Sequence, residues 1–198
     1  MLIHLRRSLV MAVVCLVFFG FVYGLAGTGV AQVLFAHQAN GSLTANGSTL
    51  IGQNWSSPKW FHGRPDDTGP YAADPAKNVA GGDNPLSNNG VPGESGGTNL
   101  GPRSKVLLDN TKALVAYWHQ LGVNPTPDLV TTSGSGYDPD ISVQDAIVQI
   151  PMVAKATGVA PGALRTLIAR STTHAQLGFL GTTYVNVLVL NDGLAKLR

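Results

Sequence analysis

Leu9-Val10-Met11-Ala12-Val13-Val14-Cys15-Leu16-Val17-Phe18-Phe19-Gly20-Phe21-Val22-Tyr23-Gly24-Leu25-Ala26-Gly27-Thr28-Gly29-Val30 is a run of 22 residues without a charge. At a rise of ~1.5 Å per residue it reaches about 33 Å as a helix, enough to cross the hydrocarbon core of a bilayer. The uncharged stretch extends further, because no Asp, Glu, Lys or Arg occurs between Arg7 and Lys59. Arg6 and Arg7 stand directly before the run and no cation follows it until Lys59. The positive-inside rule therefore places the N-terminus in the cytoplasm and the rest of the chain outside. A cleaved secretory signal begins in the same way, but its apolar core is only ~7–15 residues long. Cys15 fits no lipoprotein site, since Val14 precedes it where a small residue is expected, and it reads as an ordinary span residue. These features divide the chain into a short cytoplasmic N-terminus (1–8), a transmembrane helix (9–31) and an extracytoplasmic domain (37–198).

A chain of 198 residues with 44% apolar content can bury a core beyond such an anchor. Setting Arg6 and Arg7 aside leaves 11 cations against 11 acids, all after the span. A formally neutral outer domain has no basic stripe for nucleic acid. Its single cysteine lies in the span, so packing without an internal disulfide must hold the domain. Within the span Gly20, Gly24, Gly27 and Ala31 share one helical face, and Gly20-x-x-x-Gly24 has the spacing at which membrane helices approach closely.

Beyond the span, Ser42-Leu43-Thr44 and Thr49-Leu50-Ile51 flank Asn46-Gly47, the pattern of a β-hairpin. Trp55, Trp60 and Phe61 then lead into His62-Gly63-Arg64-Pro65. Residues 63–102 hold nine Gly, six Pro and five Asn, which predicts a long irregular loop region. Three amphipathic helices follow. The first carries Val106, Leu107, Asn110, Ala113, Leu114, Tyr117, Trp118 and Leu121 on one face and stops at Gly122. The second is capped by Ser142 with Asp145 three residues on, its apolar stripe runs from Val143 to Ala154, and Pro151 should kink or split it. The third, short, opens at Pro161. Tyr184 to Leu190 reads as a buried strand, with a terminal helical turn after it. The fold class is α+β or α/β, a soluble outer domain on a single N-terminal transmembrane helix.

Catalytic constellations are missing from the pattern. No G-x-x-x-x-G-K-[ST] phosphate loop and no G-x-S-x-G nucleophile elbow occurs, and Ser133-Gly134-Ser135-Gly136 reads as a turn. His4, His37, His62, His119 and His174 pair with no other ligand at metal spacing. Asp138, Asp140 and Ser142 imitate the start of a calcium loop, but Val143 replaces the required glycine and Gln149 the bidentate Glu. A turn delivering the chain to the cap at Ser142 is the better reading. Glu94 is the one glutamate in the sequence. Trp60 and Phe61 beside Arg64 in a Gly- and Pro-containing loop suit a protein interface, where Trp and Arg serve as anchors, or else Trp55, Trp60 and Phe61 are core and Arg64 is merely solvated.

Several ordered motifs carry a family resemblance: Gln38-Ala39-Asn40-Gly41-Ser42-Leu43, Leu50-Ile51-Gly52-Gln53-Asn54-Trp55, Phe61-His62-Gly63-Arg64-Pro65, Gly96-Gly97-Thr98-Asn99-Leu100-Gly101, Ser133-Gly134-Ser135-Gly136-Tyr137-Asp138-Pro139, Leu177-Gly178-Phe179-Leu180-Gly181 and Val185-Asn186-Val187-Leu188. Together they resemble the C-subunit family of the Kdp potassium-transporting P-type ATPase, from the span to the C-terminus. The resemblance implies a non-catalytic accessory subunit of a high-affinity potassium-uptake pump in a bacterial or archaeal cell membrane. Its implied partners are a channel-like subunit that carries potassium, a P-type ATPase subunit that hydrolyses ATP, and a very small membrane peptide. Assembly of the complex and a raised ATP affinity of the catalytic subunit are the roles it implies. The complex would use ATP, Mg and K+, with no cofactor held by this chain alone.

The resemblance carries Gln53, Asn54, His62, Gly63 and Arg64 over as partner-binding candidates, beside Trp60 and Phe61 from the aromatic cluster. Asp66, Asp140, Met152 and Val189 depart from the residues usual in the family, namely Ser, His, a basic residue and Glu, so those usual groups' roles are not available here. A membrane-anchored envelope binding protein, or an enzyme with an unrecognised site, is the competing reading. A solute-binding protein would normally need two lobes about a hinged cleft, and an enzyme a convergent acid-base or metal site.

Overall fold

The computed structural model describes residues 2–53, 55, 57–65 and 98–198. It separates into two units, 1–44 and 45–198, and each is described by itself.

The first unit is dominated by one helical run, Leu2–Leu34, 33 residues long with a mean hydropathy of 2.6 over its most apolar window. It is long and apolar enough to cross a membrane and extends past both ends of residues 9–31. The run consists of α1 (Leu2–Val17), a π-helical stretch (Phe18–Val22) and α2 (Tyr23–Leu34). Its side chains bury nothing within the chain, as expected of a helix whose solvent is lipid. The two aliphatic hydroxyls in the run satisfy themselves: Ser8 Oγ donates to His4 O at 2.8 Å and Thr28 Oγ1 to Gly24 O at 2.9 Å. Bonding back to the preceding turn is how a hydroxyl avoids an unpaired donor in hydrocarbon. A short α3 (Ala36–Ala39) and strand β1 (Leu43–Thr44) close this unit.

The second unit opens on β2 (Gly47–Ser48), a strand of two residues. Thr49 and Leu50, expected in the second arm, are turn residues. The unit then combines α4 (Lys105–Gln120), a 3-10 turn (Pro127–Val130), β3 (Asp140–Ile141), α5 (Val143–Thr157), α6 (Pro161–Ser171), β4 (Thr172–Thr173), β5 (Tyr184–Asn186) and α7 (Val187–Ala195). The sheet order is β3-β5-β4, antiparallel throughout, with Ile141 opposite Val185 and Thr172 opposite the same residue on the other side. A mixed helix and sheet domain of this kind fits the class read from the sequence.

Local chemistry explains where these helices begin and end. Ser104 caps α4, and Ser142 with Asp145 forms a full capping box on α5, each side chain bonding the other's backbone N–H. α5 ends at Gly158, whose φ of +77° is the left-handed conformation that favours glycine. The helix runs through Pro151 without being split. Pro161 opens α6 as its first residue.

The C-terminal segment differs from the strand expected over Tyr184 to Leu190. The strand stops at Asn186, and Val187 onward is helix. Asn186 Oδ1 accepts from Val189 N at 3.2 Å, an N-cap that starts the helix. A short apolar run reads alike as buried strand or buried helix, and here the asparagine decided it.

The core brings α4 to α7 together over the sheet. Trp118, Leu129, Leu164, Val185, Leu190 and Leu194 are completely buried. Trp118 also donates its indole N–H to Leu129 O at 2.9 Å, which ties α4 to the 3-10 turn. Met152 lies in this core at 3% exposure, so the position where a basic residue is usual here faces inward.

Candidate functional site

Residues Trp60 to Pro65 belong to no helix or strand, yet two buried side-chain amides hold their backbone. Asn191 on α7 accepts from Phe61 N at 2.9 Å and donates to Phe61 O at 2.9 Å. Gln149 on α5 does the same to His62, with 2.8 Å to its N–H and 3.1 Å to its carbonyl. Each amide thus presents to one residue the acceptor and donor that a neighbouring strand would supply. Both are buried, at 0% and 1% exposure, among apolar neighbours.

The clamp fixes which side chains of the segment face inward. Phe61 and His62 are buried, while Trp60, Gly63 and Arg64 are half-buried. Trp60 stacks edge-on against Trp55 at 5.2 Å, and the Arg198 guanidinium lies 5.3 Å over its ring. His62 packs against Trp118 at 5.4 Å between ring centroids. Its Nε2 lies 3.0 Å from Ser57 O. Burial drives the His62 pKa down to about 4, only partly opposed by that hydrogen bond, so the ring is neutral at physiological pH.

Arg64 is held by the segment that precedes β3. Its Nη1 lies 3.4 Å from Asp138 Oδ2, and Nη2 donates to Thr132 O at 3.2 Å. The loop that carries these partners is fixed by its own hydroxyls: Ser133 Oγ accepts from Gly136 N at 2.9 Å and Ser135 Oγ from Tyr137 N at 3.1 Å. Asp138 Oδ1 in turn accepts from Asp140 N at 3.1 Å, the turn expected before the Ser142 cap. Gly52 donates to Tyr137 O at 2.8 Å, and a Cβ on it would lie 2.9 Å from Asp138 O. Only glycine permits that approach.

Gln53, half-buried, reaches Ser48 O at 3.3 Å and lines a small cavity with Trp55, His62, Gly63, Arg64 and Asp138. The structure thus gathers Gln53, Trp60, Phe61, His62, Gly63 and Arg64 into one region of the second unit. Asn54 lies outside the described residues, as do Asp66, Glu94, the Gly96-Gly97 pair and most of the loop region 63–102. The residues that organise the segment, Gln149 and Asn191, were not singled out by sequence pattern. Their signal was an amide inside an apolar stripe, Gln149 beside Ile150 and Asn191 after Val187-Leu188-Val189-Leu190. Among the described residues no group of three His, Cys, Asp or Glu could hold a metal ion.

Comparison with known proteins decides the family. The model for the K+-transporting ATPase c chain matches residues 5–196. The chain belongs to the KdpC family. A KdpC subunit from Methylobacterium nodulans is 43% identical over 205 residues, covering 100% of this chain and 98% of that protein. One from Rhodopseudomonas palustris strain TIE-1 is 44% identical, with 98% and 97% covered. One from Sorangium cellulosum is 40% identical, with all of both chains covered. Each is named a potassium-transporting ATPase KdpC subunit. Kdp membership together with the one long apolar helix among the described residues points to a single-pass membrane subunit.

On the small-residue face of the KdpC helix, Gly20, Gly24 and Gly27 are open within the chain and Ala31 is half-buried. A Cβ on Gly24 or Gly27 would meet nothing within 4 Å, and one on Gly20 only Leu16 at 3.8 Å.

Proposed function

We propose that this chain is a non-catalytic accessory subunit of an ATP-driven, high-affinity potassium-uptake pump, needed for assembly and for raising the ATP affinity of the catalytic subunit. Its partners in this reading are a channel-like potassium-conducting subunit, a P-type ATPase subunit and a small membrane peptide. ATP, Mg and K+ belong to the complex, and the outer unit lies on the extracytoplasmic side. The observation that carries the reading is the family match along nearly the whole chain. The lack of a phosphate loop in the sequence supports a non-catalytic role. Arg6 and Arg7 before the span, with no cation after it until Lys59, support the orientation.

Two surfaces suit partners. The small-residue face would let a partner helix approach closely in the membrane. Trp60, Gly63, Arg64 and Gln53, with Asn54 from the family motif, would meet the outer face of the potassium-conducting subunit. Phe61 and His62 would support that contact from beneath. An extracytoplasmic unit cannot touch cytoplasmic nucleotide, so an effect on ATP affinity must pass through a two-state element of the partners.

Purification under mild detergent tests the assignment: the chain should bring a P-type ATPase with it, and complexes lacking the chain should need more ATP for half-maximal turnover. Recovery of the chain alone, or unchanged ATP dependence without it, would overturn the reading. For orientation, cysteines at exposed Lys59 and Lys196 should react with an impermeant thiol reagent on intact cells. Labelling only after lysis reverses the topology.

A further inference from the structure

The cavity beside Arg64 is lined by Gln53, Trp55, His62, Arg64, Asp138 and Val187, among others, and has a volume of about 20 Å³. A cavity needs only about 10–15 Å³ of probe-occupied volume to hold one water molecule, so the space is large enough for a water. Two buried polar atoms of the lining residues, His62 Nδ1 and Arg64 Nε, have no hydrogen-bond partner among the described residues. His62 is 1% exposed, so its ring nitrogen has no recourse to bulk solvent.

The chemistry of the two atoms restricts the guest. His62 Nε2 faces the carbonyl of Ser57, which can only accept, so Nε2 carries the proton and Nδ1 is a bare lone pair. Arg64 Nε always carries hydrogen and can only donate. The guanidinium repels a cation, whereas the Nδ1 lone pair and the neighbouring Asp138 carboxylate repel an anion. What remains is a neutral molecule that donates and accepts at once. We propose that this cavity is a specific binding site for one water molecule, which accepts from Arg64 Nε and donates to His62 Nδ1. Its second hydrogen is within the chemistry of Gln53 or Asp138, both of which line the same space. With Asp138 and Thr132 on its Nη atoms, the water gives the guanidinium a third point of support and fixes its plane. The site does not depend on the subunit reading, since every group in it belongs to this chain.

The test uses the full chain in detergent with ring-15N histidine, at neutral pH. Long-range 1H–15N correlation should show His62 as the Nε2–H tautomer, and a water-selective exchange experiment should give a long-lived water signal at its ring. Arg64→Lys, which keeps the charge but lacks Nε–H, should lose that signal while His62 keeps its tautomer. A proton on Nδ1, the absence of long-lived water in the unaltered chain, or a water signal unchanged by Arg64→Lys would overturn the proposal. The first two outcomes are read without any variant, so a failure of Arg64→Lys to fold leaves the test intact.

Discussion

Replacing Asn191 by Leu removes the amide that serves Phe61 while keeping the side chain's size. The residue is 1% exposed, so water cannot replace the lost partner without opening the core. Two backbone groups lose their bonds, Phe61 N–H and Phe61 C=O, each now bonded at 2.9 Å. Leaving a buried donor or acceptor unsatisfied costs about 1–3 kcal/mol each. Leucine's added apolar burial returns part of this, about 1–2 kcal/mol. The net expectation is a destabilisation centred on ~2.5 kcal/mol, within limits of about 0–5 kcal/mol, large beside the 5–15 kcal/mol of a typical domain. Gln149→Met should behave in the same way at His62. Urea unfolding of the full chain in detergent, followed by tryptophan fluorescence, measures both. Because the two amides hold adjacent residues of one segment, the double variant should lose less than the sum of the single losses. Destabilisation of either single variant by under about 0.5 kcal/mol would refute the claim that the amides stand in for a neighbouring strand.

Acid should weaken the folded chain through His62. Its pKa is about 4 in the fold against 6.5 unfolded, so the unfolded chain binds the extra proton between these values and stability falls as pH drops from about 6.5 to about 4. The limit of this loss is about 3 kcal/mol, and His62→Gln should flatten the slope. Asp140, raised by burial more than Asn186 lowers it, contributes the opposite sign, gaining stability as it protonates in acid. Arg64→Ala should shift unfolding by no more than about 1 kcal/mol, because its ion pair with Asp138 is partly exposed. If Arg64 anchors a partner, the same change should weaken assembly by more than ~2 kcal/mol, and an unaltered pull-down yield would defeat the interface claim. Trp60→Ala should lower both properties, since the ring packs on Trp55 and beneath Arg198. Gly20→Leu and Gly24→Leu should reduce co-purification with the pump subunits while leaving the free chain's helix content unchanged. Recovery at normal yield would mean that this face meets lipid.

Much of the fold was legible because it is set locally. The anchor follows from a run without charge, and the starts of α5 and α6 follow from Ser142 with Asp145 and from Pro161, whose effects act within one turn. Tyr184 to Leu190 was misread because an apolar run this short fits both periods, and the decisive contact was a side-chain cap. The candidate segment was legible in composition but not in orientation. The sequence left the aromatics open between interface and core, yet Phe61 is buried and Trp60 only half-buried, because amides 87 and 130 residues away fix the backbone. Pairings at such separation leave no periodic trace. Gln149 and Asn191 left only the trace of polarity where apolar residues were due.

Asn186 joins pieces that a loop would otherwise have to connect. Its Nδ2 donates to Thr49 O and to Asp140 Oδ1, both at 2.9 Å, while its Oδ1 receives Val189 N. It is at once the last residue of β5 and the cap of α7, so strand passes into helix with no intervening slack. Mechanically this is a welded joint and not a hinge. A displacement of α7 is passed to β5 through Asn186 and to the Phe61 backbone through Asn191.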